Sequence, residues 1–344
     1  MKDLKNLLNA FGPSGFEENA LDVFNSMFND DFEIYENEYN VQLIRANLGS
    51  KSKEVAIYGH IDEVGFMVIN ITSEGFLKVS TIGSVDQYIL PGSRVKILNQ
   101  SGDFINGVFG STAVHLIEDL SDRKIKMNQL FIDVGAKDKD EVLEMGIDIG
   151  SPMVFADKAL QLNDDIITTK AADDRLGVYI AAQVAIECCN LKNAGVSAIA
   201  TCQEENGLYG SRMSREFVTS VFDPDFNIAV DVCHSIDTPG LSKDEFGDIE
   251  IGKGPVIGVG SVNNKHLTKN LISVAKDNAI PYQMSANPIW SGTDADELLF
   301  MSGGMVPTII VSVPLRYMHT QNEMFSITDV KNTIKLLTKF CEAI

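Results

Sequence analysis

The sequence contains a set of histidines and carboxylates that lie where predicted strands end or where a predicted helix begins. Side chains of these types bind divalent metal ions and transfer protons. The set consists of His60 and Asp62 after a strand at residues 54–58, Asp173 and Asp174 at the start of a helix at residues 174–189, Glu204 and Glu205 after a strand at residues 196–201, Asp231 after a strand at residues 226–230, and His319 after a strand at residues 306–313. Because sites in open α/β sheets form at the carboxyl ends of the strands, we expect these side chains to converge there.

The composition of this set predicts a site for two metal ions rather than one. Two imidazoles with three or four carboxylates exceed what a single tetrahedral zinc ion requires. A pair of ions about 3.5–4 Å apart, bridged by one carboxylate and one water, uses the set more fully. Zinc and cobalt suit these ligands best, and manganese is also accepted. A carboxylate that does not bind metal is then needed as a general base.

Each member of the set has a simpler interpretation when it is taken alone. A histidine after a strand is usually structural, an aspartate pair before a helix can simply cap it, and a glutamate pair in a loop can be solvated. Asp62, two residues after His60, would orient that imidazole if His60 binds metal. His115 and His266 are predicted to be structural, and His234 to support the site. The prediction therefore depends on all members meeting at one sheet edge.

The elements that would position this set alternate between strands and helices. Three segments with a period near 3.6 are predicted to be helices, at residues 174–189, 267–278 and 328–342. Their alternation with the strands predicts an α/β fold with helices on both faces of the sheet.

Between about residues 65 and 160 the pattern changes. Short alternating segments, separated by Gly, Asn, Ser and Asp, occur at residues 66–71, 76–81, 94–98, 104–108 and 130–134. Segments of this kind predict a small β-barrel or sandwich. We therefore expect a discontinuous α/β domain at residues 1–65 and 161–344, with an inserted β-barrel domain at residues 66–160.

Two predicted helices begin with capping signals. Ser14 and Glu17 have the spacing of a capping box, which predicts a helix at residues 18–28. Ser326 or Thr328 is expected to cap the closing helix.

The composition excludes several classes of partner. The 344 residues include 28 Lys and Arg against 48 Asp and Glu, a formal net charge of -20. This charge repels phosphate backbones and anionic lipids, so we expect neither nucleic-acid nor membrane binding. The N-terminal segment is typical of a short amphipathic helix rather than a signal peptide, and the five cysteines lack metal-knuckle spacing. A cytoplasmic location is therefore expected.

Six segments, in order along nearly the whole chain, resemble one known family. They are Gly59-His-Ile-Asp-Glu-Val-Gly65, Lys170-Ala-Ala-Asp-Asp-Arg175, Gln203-Glu-Glu-Asn-Gly207, Val230-Asp-Val232, Gly292-Thr-Asp-Ala295 and Arg316-Tyr-Met-His-Thr320. They resemble the glutamyl and deblocking aminopeptidases, which build hollow tetrahedral particles and whose members are often labelled endoglucanase or cellulase. Residues 126–155 are similar to the insert domain of that family.

The resemblance implies a metal-dependent aminopeptidase that releases N-terminal residues from short peptides with a free N-terminus. It implies a mixed-sheet, zinc-aminopeptidase-like catalytic domain and an inserted β-barrel used for assembly into a homo-oligomer of twelve subunits. Carried over to this sequence, it implies His60 and Asp231 as metal ligands, Asp173 as the bridge between two ions, Glu205 and His319 as ligands of the second ion, Glu204 as general base, and Asp62 as the residue that orients His60.

Two alternatives remain at this point. A glycoside hydrolase would use a pair of carboxylates, but His60 and His319 would then have no role. An inactive scaffold of the same fold would be expected to lack ligands or the base, and all are present here. The chain differs from the family pattern at Asn206, Tyr209 and Trp290, none of which is a predicted ligand.

Overall fold

The computed structural model describes residues 1–46, 51–116 and 125–344 of the chain. The helices of these ranges are α1 (Lys2–Asn9), α2 (Glu18–Asn25), α3 (Lys139–Glu144), α4 (Ala172–Cys188), α5 (Tyr209–Val221), α6 (Lys243–Phe246), α7 (Lys265–Asp277), α8 (Asp294–Met301) and α9 (Ile327–Ala343). The strands are β1 (Phe32–Glu36), β2 (Gln42–Ala46), β3 (Lys53–His60), β4 (Gly65–Ile71), β5 (Leu77–Ile82), β6 (Arg94–Leu98), β7 (Phe104–Gly110), β8 (Phe131–Asp133), β9 (Pro152–Phe155), β10 (Leu160–Gln161), β11 (Ile166–Thr169), β12 (Ala194–Thr201), β13 (Phe226–His234), β14 (Val256–Val259), β15 (Gln283–Ala286), β16 (Thr308–Leu315) and β17 (Glu323–Ser326).

A mixed sheet forms the centre of the molecule. Its strand order within the described residues is β1-β2-β12-β3-β13-β16-β14-β15. The four central strands β12, β3, β13 and β16 are mutually parallel, whereas β2 and β14 run antiparallel to their neighbours β12 and β16. Because the four central strands point the same way, their carboxyl ends open at one edge. The predicted mixed α/β fold is confirmed.

Helices cover both faces of this sheet. The sequence of β3 is a continuous apolar run because both faces of the strand are buried. Val55 and Ile57 pack into one core, while Ala56 and Tyr58 pack into the other. The first core includes side chains from α1, α2, α4, α7 and α9, and the second includes side chains from α5 and α8. Among the helices of the described ranges, we find none long and apolar enough to cross a bilayer.

Helix α4 lies unusually close to the sheet because two glycines face each other. A Cβ atom on Gly59 would lie 2.5 Å from the backbone of Gly177 and Val178. One on Gly177 would lie 2.5 Å from the carbonyl oxygen of Val230. Any larger side chain would push the helix away, so the glycines bring the start of α4 beside the ends of β3 and β13.

A closed barrel interrupts the α/β unit. Its strands follow one another around the barrel, within the described residues, in the order β4-β5-β8-β7-β6-β9. The barrel has a core of its own, in which Phe66 contacts Phe109 and Phe155 edge to face, with ring centroids 4.8 and 5.5 Å apart. The predicted β-barrel architecture is therefore present, between the end of β3 and the start of β11.

Two details of the sequence prediction are wrong. The predicted capping box does not form: Glu17 occupies the N-cap position of α2 without a side-chain cap, and the Ser14 hydroxyl donates a hydrogen bond to Asp62 instead. Strand β13 does not end at Val230 but continues to His234, so Asp231 lies within the strand. The closing helix is capped as expected, because the Ser326 hydroxyl accepts hydrogen bonds from two backbone N–H groups.

Candidate metal centre

The carboxyl edge of the sheet brings the predicted ligands together. His60 is the last residue of β3, Asp173 lies at the start of α4, and Asp231 lies in β13. Glu205 lies in the loop after β12, and His319 lies in the loop after β16, where its φ of 60° is in the left-handed region. These residues form two groups, His60 with Asp173 and Asp231, and Asp173 with Glu205 and His319. Within each group, the possible ligand atoms lie within 4.8 Å of one another.

Asp173 belongs to both groups, and its two carboxylate oxygens face different histidines. Its Oδ1 atom lies 3.1 Å from Nε2 of His60, and its Oδ2 atom lies 3.3 Å from Nε2 of His319. Glu205 Oε1 also lies 3.3 Å from Nε2 of His319. A carboxylate placed in this way can bridge two metal ions.

The burial of their charges is a second reason why the candidate ligands suit divalent ions. Oε1 of Glu205 is buried, and its contact with Nε2 of His319 at 3.3 Å is a hydrogen bond only when that nitrogen carries a proton. Burial raises the pKa of Asp231 well above its ordinary value, and the nearby charge of Asp173 adds to that effect. Buried carboxylates are costly unless cations compensate them. Divalent ions supply that compensation, so the residues are suited to hold them.

The carboxylates also favour the protonated form of the two histidines. Burial alone would lower the pKa of His319, but hydrogen bonding to Asp173 and Glu205 raises it to about 11. The same carboxylate environment raises the pKa of His60 well above its ordinary value, against the opposing effect of burial. Metal binding requires neutral imidazoles, so an incoming cation would displace these protons.

Glu204 lies beside the two groups but belongs to neither. Its Oε2 atom is 3.9 Å from Nε2 of His60, and its side chain lines the same cleft. Burial raises the pKa of Glu204 to about 10 in the metal-free protein, His60 opposes this shift, and Asp231 adds to it. A nearby divalent cation would favour the ionised form of this carboxyl group. Glu204 is thus a carboxylate near the metal ligands that is free to exchange a proton.

Asp62 contacts both the imidazole of His60 and the loop that carries Glu204 and Glu205, which we call the glutamate loop. Nδ1 of His60 lies 3.2 Å from the carbonyl oxygen of Asp62 and 3.5 Å from its carboxylate. The same carboxylate accepts hydrogen bonds from the backbone N–H groups of Glu204 and Glu205, at 3.1 and 3.2 Å, and from the hydroxyl of Ser14, at 2.6 Å. Asp62 thus contacts both the His60 imidazole and the backbone of the loop that carries the two glutamates.

The sequence did not indicate Glu323, which supports the site from β17. Its two carboxylate oxygens are buried and accept backbone hydrogen bonds from Asp173, at 3.1 Å, and from His319, at 2.7 Å. Glu323 thus ties together two candidate ligands. No local pattern pointed to it, because Asp173 lies 150 residues away along the chain.

Asp174 is a member of the predicted set, whereas Glu17 was noted in the sequence only as part of a capping box, and both support the site. Asp174 accepts hydrogen bonds from the backbone N–H groups of His60, at 3.2 Å, and Gly177, at 2.9 Å. Glu17 accepts the backbone N–H of Gln203, at 3.2 Å, next to the glutamate loop. Burial, with the neighbouring charge of Asp62, raises the pKa of Glu17 to about 7.

The barrel also touches the glutamate loop. The backbone N–H of Gly83, directly after β5, donates to the side-chain oxygen of Asn206 at 3.2 Å. A Cβ atom on Gly83 would lie 3.2 Å from Cβ of Glu205. Asn206, one of the positions that differs from the family pattern, therefore links the loop to the barrel.

A cleft of about 990 Å³ opens above these residues, lined by His60, Asp173, Glu204, Glu205, Asp231 and His319 together with a larger apolar surface. His234 also lines this cleft, whereas His115 and His266 are exposed elsewhere, and the supporting role of His234 stays a prediction. Cys202 is buried and donates to the carbonyl oxygen of Tyr39, as expected for a packing residue.

Known proteins resemble this chain over most of its length. A family profile described as M42 glutamyl aminopeptidase matches residues 42–336. A lysyl aminopeptidase of Pyrococcus furiosus is 34% identical over 301 residues, which cover 86% of this chain and 84% of the relative. A solved aminopeptidase of the archaeon Desulfurococcus kamchatkensis has a TM-score of 0.91 at 30% identity, covering 100% of this chain and 94% of that chain. The TET1 peptidase of Pyrococcus horikoshii, described as assembling into a tetrahedron or a large octahedral shell, has a TM-score of 0.84 at 26% identity, covering 100% and 99%.

Proposed function

This chain belongs to the M42 glutamyl aminopeptidase family, and we propose that it is a two-metal aminopeptidase acting on short peptides with a free N-terminus. The observation that carries the proposal is the pair of ligand groups that share Asp173, with Glu204 beside them and outside both. One histidine serves each group. A single metal site would give no role to one of the two groups, and a simple carboxylate pair would give none to the histidines.

In this proposal, His60 and Asp231 would hold one ion, Glu205 and His319 would hold the other, and Asp173 would be shared between the two groups. Bound zinc, cobalt or manganese ions would polarise the peptide carbonyl group and lower the pKa of the attacking water.

The remaining steps fall to side chains of the chain itself. Glu204 accepts a proton from the attacking water and delivers it to the leaving amine. Asp62 keeps Glu204 in place through the backbone of the glutamate loop and keeps the His60 imidazole in its orientation. A free α-amino group would be a further nitrogen ligand of the kind that zinc and cobalt accept. An acylated N-terminus offers no such amine and would bind less well.

The reaction class is tested by hydrolysis of aminoacyl-p-nitroanilides after chelator treatment, with and without added zinc, cobalt or manganese. We expect cleavage only with metal, and only of substrates with a free α-amino group, with N-acetylated p-nitroanilides as the control. Chelator-resistant hydrolysis of a cellulose derivative would instead indicate a glycoside hydrolase. Metal binding without hydrolysis of either substrate would indicate an inactive scaffold.

We further propose that the chain self-associates into a homo-oligomer, with a dodecamer as the expected form. In this arrangement residues 66–160 are the assembly domain, and residues 1–65 and 161–344 are the catalytic domain. The assembly described for the Pyrococcus horikoshii TET1 peptidase supports this proposal, as does the separate core of the barrel. Light scattering after size-exclusion chromatography should give the mass of about twelve chains, and a monomeric mass would contradict it. A cytoplasmic location belongs to the same proposal.

A further inference from the structure

One wall of the cleft is made of apolar side chains from the segment that follows β13. We call Ile236, Leu241, Phe246 and Ile249 the apolar wall. Ile236 and Ile249 are buried, and the backbone N–H of Ile236 donates to the carbonyl oxygen of Ile249 at 2.9 Å. Leu241 and Phe246 stand at the rim with 47% and 56% of their surface exposed. The wall therefore has a fixed floor and a rim that an apolar group could cover.

The apolar wall is continuous with the segments that carry two candidate ligands. Strand β13 continues from Asp231 to its end at His234, and the chain enters the wall two residues later. The backbone N–H of Ser235 donates to the carbonyl oxygen of Leu315, the last residue of β16, at 2.8 Å. From there the chain continues to His319 through residues that also line the cleft. A peptide whose first carbonyl group lies at the metal centre would thus have its first side chain near this wall.

The two cationic side chains near the wall, Lys243 and Arg316, already have carboxylate partners. Lys243 on α6 forms ion pairs with Asp248, at 2.5 Å, and with Glu250. Arg316 donates to the carbonyl oxygen of Asp237 at 3.3 Å and lies 3.7 Å from its carboxylate. Both positive charges therefore already face carboxylates, and the other charged residues of α6, Asp244 and Glu245, are not among the residues that line the cleft.

The cleft itself offers few partners for a charged substrate side chain, since the one imidazole outside the candidate metal centre among the described residues that line it is His234. Among the described residues that line it, we find no lysine or arginine. Its carboxylates are all members of the candidate metal centre, namely Asp173, Glu204, Glu205 and Asp231. A charged group set against the apolar wall would lose water without gaining a counter-ion, which is unfavourable.

We propose that the apolar wall selects peptides whose first side chain is apolar, such as leucine, methionine or phenylalanine, over peptides that begin with an acidic or basic residue. This preference rests on the proposed aminopeptidase function. It differs from the glutamyl specificity in the description of the family and from the lysyl specificity in the name of the Pyrococcus furiosus relative.

The first test measures kcat and KM for leucine, methionine, phenylalanine, glutamate and lysine p-nitroanilides on metal-loaded protein. We expect kcat/KM for the leucine substrate to exceed that for glutamate and lysine by about tenfold or more. Faster cleavage of the glutamate or lysine substrate would overturn the preference and leave the aminopeptidase function standing. Failure to cleave every substrate with every metal would overturn the function, and the preference with it.

The second test places a positive charge on the wall. Phe246→Lys should lower kcat/KM for the leucine substrate by about tenfold and raise the ratio of glutamate to leucine cleavage, mainly through KM. Leu241→Lys should act in the same direction, and both positions are exposed enough to accept lysine without loss of folding. Phe300→Lys is the matched control, because Phe300 is 77% exposed and lies outside the cleft. An equal glutamate-to-leucine ratio in all three variants would overturn the proposal.

Discussion

The carboxyl edge of the sheet and the interior of the barrel are both buried, but they hide opposite kinds of side chain. The barrel encloses phenylalanines such as Phe66, Phe109 and Phe155, whose burial is favourable by itself. The sheet edge encloses carboxylates and histidines, whose burial is unfavourable unless each charge finds a partner. Burial in the barrel interior therefore stabilises the fold, whereas burial at the sheet edge costs stability and places groups there that can bind metal and exchange protons.

Removal of the shared carboxylate should give the largest effect at the sheet edge. Asp173→Ala takes a ligand from both proposed ions and leaves His60 and His319 without their common partner. We expect kcat/KM to fall by at least about 10⁴-fold. Metal analysis of the dialysed variant should find fewer than two ions per chain. Wild-type metal content with wild-type activity would show that Asp173 is not a metal ligand.

Truncation of a side chain in the barrel core should lower stability and leave activity unchanged, the opposite of what we expect at the sheet edge. Phe66→Ala removes a fully buried ring that contacts Phe109 and Phe155, and should lower the free energy of unfolding by about 3–5 kcal/mol. Urea denaturation measures this loss. The activity per folded molecule should stay close to that of the wild type. A loss of kcat with unchanged stability would show that the two regions are not separate in the way described.

A buried acid near the sheet edge should make stability depend on pH. The pKa of Glu17 is raised to about 7 in the folded protein, so the unfolded chain releases this proton first as the pH rises. Glu17 therefore contributes a loss of stability between about pH 4.5 and 7, on the order of 3 kcal/mol in total. Glu17→Gln should remove this loss in metal-free protein, as urea denaturation at several pH values would reveal. The exposed neighbour supplies the control, since Glu18→Gln should leave the pH profile unchanged.

Glu323 should produce the smallest of these effects, because it acts through the backbone of other residues. Glu323→Gln can keep only one of the two hydrogen bonds that reach Asp173 and His319. Loss of such a supporting contact should weaken metal binding by about 10–100-fold while maximal activity at saturating metal changes less. Titration with zinc or cobalt measures this shift. Glu144→Gln, on the exposed surface of the barrel region, should bind metal as the wild type does.

The architecture was predictable where one pattern persists over a whole element. The apolar run of β3, the period of α4 and the alternating segments of the barrel each identified their element within a few residues. Short or partly exposed strands were missed, among them β14 and β15, because four residues carry too little pattern. The strand β13 was predicted too short because Asp231 interrupts an apolar run, although the strand continues with the buried Val232.

The candidate site was predictable to the extent that strand direction determines which side chains meet. The members of the set lie together, as expected from their places after successive strands. Their roles as ligands and base stay predictions. The supporting contacts of Ser14, Glu17 and Glu323 could not be found, because their partners lie far away in the sequence. In Ser14 and Glu17, a local capping pattern was overridden by these tertiary hydrogen bonds.

The central claim is that Glu204 moves the proton while other residues hold two ions. Glu204→Gln keeps the size of the side chain and removes its ability to accept a proton. Metal analysis and hydrolysis of leucine p-nitroanilide on the same dialysed sample test the claim most directly. The variant should carry about two ions per chain, as the wild type does, with turnover lowered at least about 10³-fold. Retained turnover, or loss of the metal ions, would contradict the account.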